Sequence, residues 1–203
     1  MTQAKHNVSA LPSLPRAESQ APIAVIGLGN TLMEDEGAGV HALEQLRECY
    51  RDEGRIEFYD GGTKGLSLLP YMESCSRLLL IDAVESDAPP GAVLEFSRRE
   101  LLNGSIPAKL SVHDIALADL LTLLALRRGF LMEDLKLIGV VPASMELATE
   151  LSPTVGAALR HVKQRAQHVL DHWLDELSSQ PQEAGALEES ALEESALEES
   201  ECA

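Results

Sequence analysis

The sequence predicts an α/β fold, a three-layer αβα arrangement in which a mostly parallel, twisted five-stranded sheet carries helices on both faces. Three observations predict it. Short runs rich in Val, Ile and Leu alternate with segments of helical periodicity, and most of the apolar runs end at Gly or Asp. The 203 residues suffice for one well-buried domain, with too few left over for a second.

Residues 1–21, rich in Pro, Ser and Gln without periodicity, read as a mobile N-terminal segment. A single α/β domain is expected over 22–180, with strands at about 23–27, 55–59, 77–81, 91–96 and 136–141. Helices are expected between them, at about 37–52, 65–74, 112–128 and 153–178. The last is the clearest: Ser152-Pro153 is a helix start, and Val155, Ala158, Leu159, Val162, Ala166, Val169, Leu170 and Trp173 keep a 3.6-residue period. Residues 181–203 read as an acidic low-complexity tail in which Ala-Leu-Glu-Glu-Ser repeats from Ala186 to Ser200. Five residues turn a helix by roughly 500°, so the repeat's leucines point in different directions and form no stripe.

Net charge is −17; setting aside the eight Glu of the tail and the +1 of the lead leaves the body at −10. Such a body does not suit nucleic acid or an anionic membrane as a partner, and it suits a basic one. Cys49, Cys75 and Cys202 are odd in number and lack metal-ligand spacing, which fits a reducing compartment. With no signal-peptide pattern and no long apolar span, a cytoplasmic protein is expected.

The run from Ile23 to Gly39 leads from an apolar strand into a glycine turn and then into Glu34-Asp35-Glu36. A glycine turn after a strand ordinarily cradles phosphate, but three acids at its mouth repel phosphate and suit a cation. Asp82 closes the apolar run Leu78–Ile81, where it either faces a crevice at the sheet's rim or caps the following turn. His113 falls in a first helical turn, with Ser111 and Asp114 at capping-box spacing, and alone it reads as an ordinary cap-region histidine. Together Glu36, Asp82 and His113 make an N,O donor set suited to zinc or nickel, with coordination positions left open. Asp35 and Asp60 are spare carboxylates near the same crevice. Asp60-Gly-Gly-Thr63 also makes a good turn, the role its composition favours.

These pieces resemble the hydrogenase maturation endopeptidases, which trim a C-terminal extension from the large subunit of nickel-iron hydrogenases. The resemblance rests on Gly27–Gly39, Asp60–Thr63, Leu80–Ala83, Pro90-Gly91, Ser111–His113, Gly139–Pro142 and Leu151–Val155, in that order. It implies an endopeptidase acting on the large-subunit precursor after nickel insertion, with Glu36, Asp82 and His113 contacting nickel that arrives with the substrate. Zinc or cadmium can take those ligands in isolated protein. It also implies an acid-dependent, aspartyl-type hydrolase in which Glu36, Asp82, His113 and Asp60 carry the catalytic site. Asp114, following His113, departs from the amide often found there. The lead and the tail lie outside the resemblance.

Three other readings compete. A non-catalytic nickel-binding maturation chaperone would use the same ligands. A dinucleotide-binding oxidoreductase fits Gly27-x-Gly29, yet the third glycine position is Leu32 and the acids would face the pyrophosphate. A cysteine peptidase built on Cys75 and His113 lacks activating residues around Cys75.

Overall fold

A computed structural model describes residues 21–102, 117–129, 132 and 134–179. His113, residues 1–20 of the lead segment and the whole tail 181–203 lie outside the described residues. Cα packing separates the chain into Met1–Gln167 and His168–Ala203.

The first unit contains the five expected strands: β1 (Ile23–Leu28), β2 (Ile56–Gly62), β3 (Arg77–Ala83), β4 (Val93–Ser97) and β5 (Asp134–Val140). Their order is β2-β1-β3-β5-β4. All neighbours are parallel except the edge pair β4 and β5, which is antiparallel. The central strand β3 is buried along its whole length. Its continuous aliphatic run therefore reflects a strand covered on both faces.

Alternation along the strands divides the core in two. Ala24, Ile26, Leu78 and Leu80 pack with Leu69 and Met72 of α2 (Leu69–Ser74) and with Leu120, Leu121 and Leu124 of α4 (Leu117–Arg128). On the opposite face lies α1 (Ala38–Cys49), which packs on β1, β3 and β2. Helix α5 (Pro153–Ser179) begins in this unit, and there Val155, Ala158, Leu159, Val162 and Ala166 form the expected buried stripe. It shares the face of α1, whose closing residue Tyr50 donates its hydroxyl to the Gln167 carbonyl at 3.4 Å. In the second unit α5 continues from His168 to Ser179, with His172 and Glu176 paired one turn apart at 3.4 Å.

A five-residue helix, α3 (Arg98–Leu102), directly follows β4 and was not expected from periodicity, because five residues are too few to show one. The second strand also runs further than expected. Asp60 pairs with Gly27, and Leu28 then pairs with Gly62, so Gly61 is the extra residue of a bulge. Asp60 thus lies within the strand, and the turn begins only after Gly62.

Two glycines let α1 sit on the ends of β1 and β3. A Cβ on Gly39 would lie 2.2 Å from the Ile81 carbonyl oxygen and 2.4 Å from that of Leu28. Gly29 has φ 113°, and a Cβ there would lie 1.7 Å from the Glu36 carbonyl oxygen. The helix start and the acidic turn before it are therefore pressed directly onto the carboxyl edge of the sheet.

Candidate active site

From β1 the chain returns through α1 to β2 on one side, whereas after β3 it continues to β4 and β5 on the other. Adjacent parallel strands whose connections diverge leave a crevice at their carboxyl ends. Glu36 and Asp82 occupy that place. Glu36 lies in the 3-10 turn Glu34–Gly37 that precedes α1, and Asp82 is the penultimate residue of β3.

Both carboxylates are withdrawn from water, Glu36 being 3% and Asp82 1% exposed. Burial pushes the Asp82 carboxyl up from its ordinary 3.8 to about 7. The Ala83 backbone N–H, donating to Oδ1 at 2.8 Å, opposes that rise, and the negative charge of Glu36 adds to it. A pair of buried acids with one proton held near neutrality can supply both a proton donor and a proton acceptor. The same pair suits a divalent cation, which would offset both the burial penalty and the mutual repulsion. Among the described residues no three His, Cys, Asp or Glu side chains form a cluster able to hold a metal ion. Glu36 and Asp82 do lie near enough for the charge of one to act on the other.

The other acids of the run differ sharply. Asp35 is 0% exposed and fully engaged. Its Oδ2 accepts from the Ala143 N–H at 2.8 Å, the Ser144 N–H at 3.1 Å and the Ser152 hydroxyl at 2.8 Å, and its Oδ1 accepts from the Ser152 N–H at 2.8 Å. It is no spare carboxylate for the crevice. Glu34 is partly exposed and takes φ 45°, a left-handed conformation strained for a residue with a side chain. Its N–H donates to the Ala148 carbonyl at 2.8 Å.

Asp60 lies on the same edge of the sheet, but β1 separates its strand from β3. Its side chain is exposed, and its carbonyl accepts from the Lys64 ammonium at 2.5 Å. Cys75, by contrast, precedes β3 and so lies toward the opposite edge. Burial raises its thiol to about 11, and Sγ donates to the Met72 carbonyl at 3.5 Å. A thiol so placed is inert at neutral pH and shares no crevice with the acids.

The glycines have a role other than the one a phosphate loop would give them. The space above Gly29 is filled by the chain's own backbone at Glu36, so the turn leaves no cradle for a pyrophosphate. Their smallness brings Glu36 to the end of β3. Sequence reasoning missed Asp35 and Ser152 as a pair; the only signal was Ser152 standing before Pro153 at a helix start.

A family model described as hydrogenase maturation protease matches residues 40–169, a span that contains Asp60 and Asp82 and begins just after Glu36. The hydrogenase 2 maturation protease of Escherichia coli (strain K12) is 36% identical over 137 residues, covering 68% of this chain and 83% of that protein. The hydrogenase maturating endopeptidase HybD from E. coli superposes with a TM-score of 0.65 at 33% identity, covering 74% of this chain and 92% of that one. The NiFe hydrogenase maturation protease HybD from Thermococcus kodakarensis gives a TM-score of 0.61 at 30% identity, covering 72% and 97%.

Proposed function

The chain belongs to the family of hydrogenase maturation proteases, endopeptidases of the hydrolase class, and from that premise we propose that it removes the C-terminal extension of a nickel-iron hydrogenase large-subunit precursor once nickel has been inserted. The buried pair Glu36 and Asp82, at the point where the strand connections diverge, carries this reading.

In it, the nickel is cargo of the substrate. Glu36, Asp82 and His113 complete the coordination of a metal already held by the precursor, so only a loaded precursor gains those contacts. An unloaded precursor meets two acids with no cation between them and is rejected. The metal-bound geometry then presents the scissile bond to the carboxylates of the crevice. A carboxyl that the metal leaves free would hold a proton for the leaving amine or accept one from the attacking water. Asp60, exposed on the same edge, serves at the mouth of the site as an aspartyl-type acid or base. Zinc or cadmium bound to isolated protein would report the same donors.

A cytoplasmic setting belongs to this reading and is supported by the free thiols Cys49 and Cys75, which fit a reducing compartment. The test is the mass of the large subunit after incubation with this protein and its Glu36→Gln and Asp82→Asn variants. Loss of the extension with the wild type alone supports the reading. Unchanged mass in every arm would leave a non-catalytic metal-binding role.

A further inference from the structure

Within the glycine-and-acid run, Asp35 is fully buried and its carboxylate is turned to the chain's own donors. Four donors from three residues converge on its carboxylate, Ala143, Ser144 and Ser152 all lying in the chain that leaves β5. Ser152 in turn accepts from the Val155 N–H at 3.3 Å and so caps the start of α5. Around this tie the two segments are laced by backbone bonds. Asp35 N–H donates to the Ser144 carbonyl at 3.3 Å, and Ala148 N–H donates to Leu32 at 3.1 Å while its carbonyl accepts from the strained Glu34.

The strands that launch these two segments, β1 and β5, flank β3 on either side. A tie between them therefore passes over the end of β3, where Asp82 lies. Asp35 is also the residue next to Glu36, in the same single 3-10 turn. Any loosening of Asp35 reaches Glu36 through one peptide unit.

We propose that Asp35 is a positioning residue for the protease reaction: by binding the loop after β5, it fixes the turn that sets Glu36 against Asp82. The inference rests on the reading that Glu36 and Asp82 act in cleavage. A carboxylate is required because all four partners are donors, and an ionised acid is acceptor on both oxygens. Asparagine keeps the shape but must turn its amide N–H₂ toward at least one of those donors. Displacing a reacting group by about 1 Å can cost on the order of a hundredfold in rate, so a modest shift of the turn suffices to be seen.

The experiment measures kcat and KM on nickel-loaded large-subunit precursor, together with thermal midpoints, for Asp35→Asn, Ser152→Ala, Ser152→Thr, Leu124→Ala and Glu36→Gln. A positioning role predicts that Asp35→Asn lowers kcat by about tenfold or more with KM within about twofold of wild type. Ser152→Ala lowers kcat less, and Ser152→Thr, which keeps the hydroxyl, restores it. Leu124→Ala, a core change remote from the crevice, lowers the midpoint and leaves kcat of the folded protein unchanged. Should Asp35→Asn not fold, the Ser152 pair carries the test by the same split. Wild-type kcat in Asp35→Asn, or equal kcat in the two Ser152 variants, overturns the inference while an inactive Glu36→Gln keeps the underlying reading standing. An active Glu36→Gln overturns both.

Discussion

Glu36 and Asp82 come from different elements, a 3-10 turn and a central strand, yet both are buried together, and burial raises the proton affinity of Asp82 with the charge of Glu36 adding to the rise. Two acids buried together are costly unless something positive joins them. On the proposed reading, that cost is what makes the pair selective for a cation-bearing substrate.

The first prediction concerns the pair itself. Glu36→Gln and Asp82→Asn should each lower processing by about a hundredfold or more, because each removes a contact to the metal that the substrate carries. Circular dichroism should show both variants folded. Full processing by either variant would remove that residue from the site.

The second concerns pH. The folded-state value of Asp82, about 7, stands above its ordinary 3.8, so between these values the folded protein holds a proton that the unfolded chain has released. The stability contributed by this group is fully present below 3.8 and is lost as pH rises through 7. Asp82→Asn has no such loss, so above pH 7 it should exceed the wild type by on the order of a few kcal/mol, and the gap should close toward acid pH. Denaturant unfolding of the metal-free protein at acid and alkaline pH measures it. Parallel pH curves for the two proteins would contradict the assignment.

The third concerns the thiol. Cys75 lies toward the wrong edge of the sheet and its thiol is raised to about 11, so Cys75→Ala should process precursor at the wild-type rate. Loss of kcat without loss of stability would restore a cysteine mechanism.

The fourth concerns the glycine contact. Gly39→Ala would place a Cβ 2.2 Å from the Ile81 carbonyl oxygen, which must move for the helix to remain. A loss of about 3 kcal/mol in unfolding free energy is expected, with processing reduced as α1 lifts from β3. A wild-type midpoint in this variant would show that α1 is not seated as described.

Much of the fold was legible because its signals are local. The apolar runs at 23–27 and 77–81 and the stripe from Val155 to Ala166 each reveal their element through neighbours in sequence. The antiparallel setting of β4 was not legible, since pairing direction depends on where the chain returns and not on the residues of the strand. Asp60 illustrates a nearer limit. Its Gly-Gly neighbours signal a turn, but pairing with β1 extends the strand through a bulge and displaces the turn by a few residues. At the site, Asp82 could be singled out because it closes an apolar run, and Glu36 because it stands in an acidic turn that follows one. Asp35 could not be told from them by type or spacing. Its partner Ser152 lies 117 positions away, and only the folded chain shows that one acid of the run is structural glue while the next faces the crevice.

Asp60 gives the fifth prediction. Its side chain is exposed, so Asp60→Asn should leave the thermal midpoint within a few degrees of wild type while slowing cleavage. An unchanged rate would confine Asp60 to the strand end.

On the proposed reading, this protease recognises a metal carried by its substrate through Glu36, Asp82 and His113. The most direct measurement incubates nickel-loaded and nickel-free large-subunit precursor with the protein and follows the mass of the large subunit. Cleavage of the loaded form alone is the expected result, and cleavage of both forms at the same rate would contradict it.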